Sequence, residues 1–187
     1  MQRPDLPAVA LIEFRSIARA LRSGDAMVKQ APVQVALSGP VSPGKYLVLV
    51  SGSEAEVEES LKAGLEDGGD EVVDSLLLSG VHLAAVHAIH GLRQVREARD
   101  SLGVVETSTV SAAIVACDAA CKEAPVRILE MRLGKGIGGK GVFVLAGELW
   151  DVQAAVAAAE RSIEARRSLV GLEVIPRPDP EFEGGLD

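Results

Sequence analysis

The sequence predicts an α+β fold of two tandem β-α-β-β-α-β domains. Each is an antiparallel sheet with helices packed on it, in a variant of the ferredoxin-like layout. Three observations predict it. First, Glu13…Asp25-Ala26-Met27-Val28-Lys29-Gln30-Ala31-Pro32-Val33 returns as Glu106…Asp118-Ala119-Ala120-Cys121-Lys122-Glu123-Ala124-Pro125-Val126, at a constant offset of about 93 residues. Second, Gly39…Gly44-Lys45…Gly52…Val57 returns as Gly134…Gly139-Lys140…Gly147…Val152, at an offset about two residues longer. Third, the hydropathy period switches between strand-like and helix-like in the same order in both copies. A unit of about 90 residues can bury a core of its own, unlike a solenoid repeat of about 20 to 50. The domains are therefore placed at 8–91 and 102–187.

In the first copy, Val9-Ala10-Leu11-Ile12-Glu13 is a short apolar run and reads as a buried strand. Ser16 is a helix N-cap, and the helix runs to Gln30, with Ile17, Ala20, Leu21, Ala26, Met27 and Val28 assigned to its inner face. Pro32 cannot extend it. Val33 to Leu37 is a strand, and Ser38-Gly39-Pro40-Val41-Ser42-Pro43-Gly44 reads as a turn. Tyr46 to Gly52 is the clearest strand of the chain. Ser53 and Glu56 have the spacing of a capping box, opening a helix from Glu54 to Leu65. Ser75 to Val81 is the fourth strand.

The second copy repeats this order. Val104 to Glu106 is a strand, Thr109 a cap and Val110 to Glu123 a helix. Strands at Val126 to Arg132 and Val142 to Ala146 flank a glycine-rich turn. An Ala-rich helix runs from Leu149 to Ala165, and Leu169 to Ile175 is the last strand. The connector His82 to Asp100 carries Val86, Ile89, Leu92 and Val95 at helical spacing. The tail from Pro176 is rich in Pro, Gly and acid, and is expected to be extended.

Composition narrows the function. Apolar residues make up 48%, enough for two cores, but aromatics are only 3%, too few for a base-stacking platform. The net charge of −8 opposes nucleic acid and anionic lipid. No apolar run reaches the roughly 20 residues of a spanning helix, and the first residues show no secretory pattern. A soluble cytoplasmic protein is expected.

Both glycine turns spell G-x-x-x-x-G-K, most of a P-loop. The residue after the lysine is Tyr46 or Gly141, so the magnesium-binding hydroxyl is missing. Each turn also leads into a strand, so no helix N-terminus faces a phosphate. Hairpin turns whose glycines permit tight backbone are the better reading. Cys117 and Cys121 lie one helical turn apart, but two thiols are half a zinc site, and buried packing explains them better. His82, His87 and His90 cluster in the connector without a further ligand. Glu13 and Glu106 end equivalent strands, where a duplicated structural contact is simpler than a carboxylate pair for hydrolysis. No metal site and no catalytic constellation emerges.

The repeated Asp-Ala-x-x-Lys-x-Ala-Pro-Val string resembles the helix end of bacterial microcompartment shell domains. So do Gly-Lys leading into a strand that ends in Gly, and the terminal Val174-Ile175-Pro176-Arg177-Pro178. The resemblance covers nearly everything from Val9 to Pro178. Two copies in unpermuted order look like the tandem-domain shell proteins of the propanediol-utilisation trimer type. Their trimers imitate the hexamers of single-domain relatives.

The resemblance implies a non-enzymatic structural tile in a microcompartment shell of the bacterial cytoplasm. Its partners would be itself as a homotrimer, other shell hexamers and pentamers, and small metabolites passing a central pore, with no nucleic acid and no membrane. Ser42, Pro43, Gly44 and Lys45 match one pore loop, and Ile137, Gly138 and Gly139 lie in the other. Lys29, Lys122 and Arg177 match the contacts at tile edges. Where proteins of this type carry a cysteine that holds an iron–sulfur cluster on the threefold axis, this chain has Ser42. No cofactor is therefore expected, since such clusters need thiolates. A ring of hydroxyls would pass small polar metabolites rather than select by charge. Two other readings stay open: a pore that binds a cofactor or redox group, and a ferredoxin-like domain that senses a small ligand.

Overall fold

The computed structural model describes residues 7–95, 97 and 100–179. It divides into two units between Val86 and His87. The first contains β1 (Ala8–Phe14), α1 (Ile17–Gln30), β2 (Gln34–Val41), β3 (Lys45–Gly52), α2 (Glu54–Gly68) and β4 (Val72–Leu78). A short helix, α3 (Leu83–Ile89), spans the division. The second unit follows with β5 (Ser101–Thr107), α4 (Val110–Glu123), β6 (Arg127–Leu133), β7 (Gly141–Gly147), α5 (Leu149–Ile163) and β8 (Leu169–Ile175). Each unit has a four-stranded antiparallel sheet, in the orders β2-β3-β1-β4 and β6-β7-β5-β8.

The caps read from sequence are formed. Ser16 Oγ accepts from Arg19 N at 3.3 Å, and Thr109 Oγ1 from Ala112 N at 3.3 Å. Glu56 closes the capping box by accepting from the amide of Ser53 at 3.1 Å. Such caps are worth about 1 kcal/mol each.

β1, β3 and β7 carry long apolar runs because both of their faces are buried. In the first unit Ala8, Ala10, Ile12 and Phe14 pack with Val48 and Val50 against Ala20, Met27, Val57 and Leu61 of the helices. Val9 and Leu11, which alternate with them, are equally buried. In the second unit Leu102, Val144 and Ala146 form a cluster on one face, while Gly103 lies against Val152 and Val156 of α5 on the other.

The two cores differ by compensating changes of size. Phe14 and Gly68 of the first unit correspond to Thr107 and Ile163 of the second. A Cβ on Gly68 would lie 2.9 Å from the Phe14 ring. Ile12, Met27 and Gly64 likewise correspond to Val105, Ala120 and Ala159. A Cβ on Gly64 would lie 2.6 Å from both Ile12 and Met27. Conserved volume with exchanged positions is what close-packed interiors tolerate.

Four readings are corrected. β2 runs through Ser38, Gly39 and Pro40, leaving only Ser42 to Gly44 as the turn. Proline is tolerated there because β2 is an edge strand. β4 begins at Val72 rather than Ser75 and ends at Leu78, and Val81 is instead held by its amide bonding to Pro7 O at 2.8 Å. The helical reading of the connector holds only for Leu83–Ile89, and Leu92 and Val95 lie beyond it, exposed. The connector instead follows the free edge of β6. Gln94 N donates to Ile128 O, Arg93 pairs with Glu130 at 2.7 Å, and Arg127 holds Asp100. Such cover protects an edge strand from stray pairing.

The fourth correction concerns α1. Ala20, Ser23 and Met27 are its buried residues, whereas Ile17, Leu21 and Val28 are exposed. Arg22 pairs with Asp67 of α2 at 2.8 Å, and Ser23 Oγ donates to the same carboxylate at 3.0 Å, fixing the two helices side by side. The tail reading applies to Pro176 through Asp179, which carry no regular structure. Residues 180–187 lie outside the described residues.

Candidate functional site

Two hairpin turns occupy equivalent places in the two units. In the first, Ser42, Pro43 and Gly44 are exposed, and Gly44 takes φ +68°, which a side chain would strain. Lys45 turns back onto the sheet, where its ammonium donates to Glu13 Oε1 at the end of β1. Glu13 is only 7% exposed, so the pair neutralises a buried carboxylate. In the second unit Lys140 Nζ donates to Glu106 Oε1 at 2.7 Å. The acids that end equivalent strands are thus half of a duplicated ion pair. Sequence reading missed the partners because the pairing joins β1 to the far end of the hairpin. In register, Glu13 faces Leu47, not Lys45.

The second turn is longer. Gly134, Gly136, Gly138 and Gly139 all have positive φ, between 67° and 80°. Gly134 N donates to Lys140 O at 2.8 Å, and Gly139 N to Gly134 O at 3.3 Å. Ile137 is half-buried, whereas Lys135, Gly136 and Gly138 are exposed.

Lys29 and Lys122 stand in the last turns of α1 and α4. Each pairs with the aspartate one turn earlier, Asp25 at 2.5 Å and Asp118 at 2.6 Å. Asp25 is exposed and Asp118 is buried, so the second lysine has the firmer anchor. Arg177 follows β8 in a left-handed conformation, φ +47°. With Pro176, Ser101, Glu148 and Leu149 it lines a cavity of about 810 Å³. Lys122 and Arg177 lie on separate elements of the second unit. The predicted turn residues gather into their two hairpins.

The donor set of the first turn does not suit an iron–sulfur cluster. Ser42 presents a hydroxyl where thiolate is required. The two cysteines sit inside α4, Cys117 fully buried and Cys121 nearly so. The hydrogen bond between them, followed by burial, pushes the Cys117 thiol well above its ordinary value and away from thiolate. His90 is pushed the other way, by burial and then by the nearby His87. Among the described residues of one chain, no group of three or more His, Cys, Asp or Glu is placed to hold a metal ion.

One further surface emerges when the copies are compared. Ile17, Leu21 and Val28 of α1 are 46%, 56% and 41% exposed, while the corresponding Val110, Ile114 and Cys121 of α4 are 0%, 0% and 6%. The sequence carries the trace of this. Arg19 and Arg22 of α1 correspond to Ala112 and Val115 of α4, so α1 has a polar side that α4 lacks.

Duplicated four-stranded units with equivalent hairpin turns define a tandem shell-domain protein. The BMC-domain model matches residues 8–81 and 101–178, so the chain belongs to the BMC-domain family and is a bacterial microcompartment shell protein with two domains in tandem. It is 39% identical to the bacterial microcompartment shell protein PduT of Citrobacter freundii over 171 residues, covering 91% of this chain and 92% of that one. A stretch of 79 residues, 40% of this chain, is 32% identical to the carboxysome shell protein CcmK2 of Thermosynechococcus vestitus and covers 78% of it. Among solved structures, a microcompartment protein from Desulfitobacterium hafniense DCB superposes with TM-score 0.92 at 36% identity, covering 96% of this chain and 99% of that one. A fused permuted hexameric shell protein, MSM0275, shares the fold at TM-score 0.63 and 24% identity, covering 85% and 84%. Among the described residues no helix is long and apolar enough to cross a membrane.

Proposed function

We propose that the chain is a non-enzymatic tile whose three copies form a pseudo-sixfold ring with a central pore in a microcompartment shell of the bacterial cytoplasm. The observation that carries this reading is the unequal burial of α1 and α4. A face that is buried in one copy of the domain stands open and apolar in the other, as expected when the next chain in a ring covers it head to tail. Six such domains, the number in a hexamer of single-domain subunits, need three tandem chains. Light scattering on the purified protein should give a mass three times the 19.5 kDa chain. A clean monomer at about 10 μM, which means association weaker than about −7 kcal/mol, overturns the reading.

In this ring the turns Ser42-Pro43-Gly44-Lys45 and Gly134 to Lys140, with Ile137, Gly138 and Gly139, approach the axis and frame a passage for small polar metabolites. Glycine suits a place where several backbones converge. Lys29, Lys122 and Arg177 lie toward the tile edges, where they meet other shell hexamers and pentamers.

Three copies of Ser42 supply hydroxyls and no thiolate, so the axis holds no iron–sulfur cluster. Anaerobic reconstitution with iron and sulfide is expected to leave the protein without a stable visible chromophore, while Ser42→Cys gains one. A chromophore in the unaltered protein sinks this part of the reading.

A further inference from the structure

We infer that the second unit holds a binding site for a small carboxylate at the start of α5, built by Ser101, Arg177 and the first amides of that helix. These elements meet at the cavity of about 810 Å³ lined by Ser101, Glu148, Leu149, Pro176 and Arg177. Ser101 pairs with Gly147, at the opposite end of β5 from Thr107 and Gly141, so the site is remote from the hairpin turn. It lies within one unit of one chain and stands whether or not three chains form a ring.

The helix supplies the first feature. Glu148 is the N-cap of α5, and its side chain makes no capping hydrogen bond. Val152 N makes the first helical bond, to Glu148 O at 2.9 Å. The amides of Leu149, Trp150 and Asp151 therefore have no acceptor within the helix, and its dipole favours negative charge in front of them. Ser101 supplies an independent feature. It is only 3% exposed and lines the cavity, yet among the described residues its hydroxyl has no hydrogen-bond partner. A polar group so placed is costly unless something in the cavity bonds to it. Arg177 adds an exposed guanidinium that no described carboxylate pairs with.

The first copy lacks all three features. Strand register aligns Ser101 with Ala8 and Arg177 with Gly80. Gly80 and Arg177 share a left-handed backbone, φ +63° and +47°, so the second copy sets a long side chain where glycine would sit more easily. Ser53 and Glu56 close the start of α2 with a capping box, whereas Glu148 and Asp151 hold those places in α5. The cap is missing in the copy that has gained a hydroxyl and a guanidinium.

A carboxylate matches this donor set. Its oxygens can accept from helix amides and Ser101, and guanidinium binds carboxylate in a bidentate fork. Leu149 and Pro176 offer apolar surface to a short hydrocarbon body. Glu148 on the same wall repels a second negative charge, so a monocarboxylate is preferred to a phosphate dianion.

Equilibrium dialysis of the full chain against radiolabelled butyrate tests the site, at mildly alkaline pH where phosphate is dianionic. Butyrate should bind saturably, one per chain, with amide NMR shifts at Leu149, Trp150 and Asp151. Butylammonium should not displace it, and inorganic phosphate should displace it poorly. Arg177→Gln and Ser101→Ala should each weaken binding at least about tenfold, since a hydrogen bond to a charged group is worth that or more. Ser101→Ala installs the residue that the first copy carries, so the strand tolerates it. Glu148→Ser combined with Asp151→Glu rebuilds the capping box of the first copy. It should lower the affinity by occupying the helix start, whereas a site driven by charge alone would bind more tightly once Glu148 is gone. No saturable uptake of butyrate, or uptake that Arg177→Gln leaves unchanged, overturns the site. Tighter binding by the capped variant overturns the role of the helix start. Displacement of butyrate by an equal concentration of phosphate overturns the preference for a monocarboxylate.

Discussion

Ile17→Asp combined with Leu21→Asp should convert the trimer to folded monomers. Both side chains are about half exposed in the single chain and lie one helical turn apart on α1. They contribute little to the fold of their own unit, whose core takes Ala20 and Met27 from this helix. Covered by the next chain, each would contribute about 1 kcal/mol through loss of its remaining apolar surface. Two carboxylates forced into the same contact would each cost about 1–3 kcal/mol more unless they found partners. The sum, repeated at all three contacts of a closed ring, weakens association by well over about 100-fold, since each 1.4 kcal/mol is tenfold. Light scattering should report a single-chain mass of 19.5 kDa, with the far-ultraviolet circular dichroism of the unaltered protein. The equivalent Ile114→Asp should instead destabilise the chain itself, because Ile114 is fully buried within the single chain. An unchanged trimer in the double variant removes α1 from the interface.

Gly141→Ala should destabilise the second unit by about 2–3 kcal/mol, at the upper end of the range for overpacking. Gly141 opens β7, facing Thr107 of β5. A Cβ there would collide with Ala113 Cβ of α4 and lie 3.0 Å from Thr107 Oγ1 and 3.2 Å from Thr109 O. None of these atoms is the free end of a flexible side chain. The Thr107 hydroxyl also donates to Thr109 O at 2.8 Å, tying the helix start to the sheet at this point. In the first unit Gly64→Ala meets Cδ1 of Ile12 and Cγ and Sδ of Met27, side-chain atoms only and no backbone, so its cost should be smaller. Urea unfolding at fixed chain concentration measures both, because m-values extract ΔG and association shifts the midpoint. Equal midpoints for Gly141→Ala and the unaltered chain contradict the steric argument.

The first copy solves the Gly141 corner differently. It places Tyr46 there, opposite Phe14, with the tyrosine hydroxyl 3.0 Å from Ser38 Oγ. That Tyr46 and Gly141 are equivalent is visible in the aligned Gly-Lys strings. That one needs space and the other supplies it was not visible, because the neighbours of each lie on another strand and a helix.

Much of the candidate site was legible for local reasons. The Ser16, Ser53 and Thr109 caps, the glycine turns and the Asp25–Lys29 and Asp118–Lys122 pairs involve residues three to seven apart, and local spacing encodes them. The extent of β2 was misread because Ser38, Gly39 and Pro40 have turn chemistry, and only the edge position of the strand lets them extend. The inner face of α1 was misjudged for a related reason. Helical period gives the apolar side chains of a stripe, but not which of them meets the protein's own core and which awaits another surface.

The sequence by itself determined that one domain is present twice, the order of its strands and helices, and the turn that holds Ser42 in place of a cysteine. All of these depend on residue identity over short spans. Only the tertiary structure decided that Glu13 and Glu106 neutralise Lys45 and Lys140. Only it showed that α4 is buried where α1 is open, and that the two cores exchange large for small. Such facts depend on strand register and on the seating of each helix on its sheet. These bring together side chains some 30 to 50 positions apart, a range over which no hydropathy period extends.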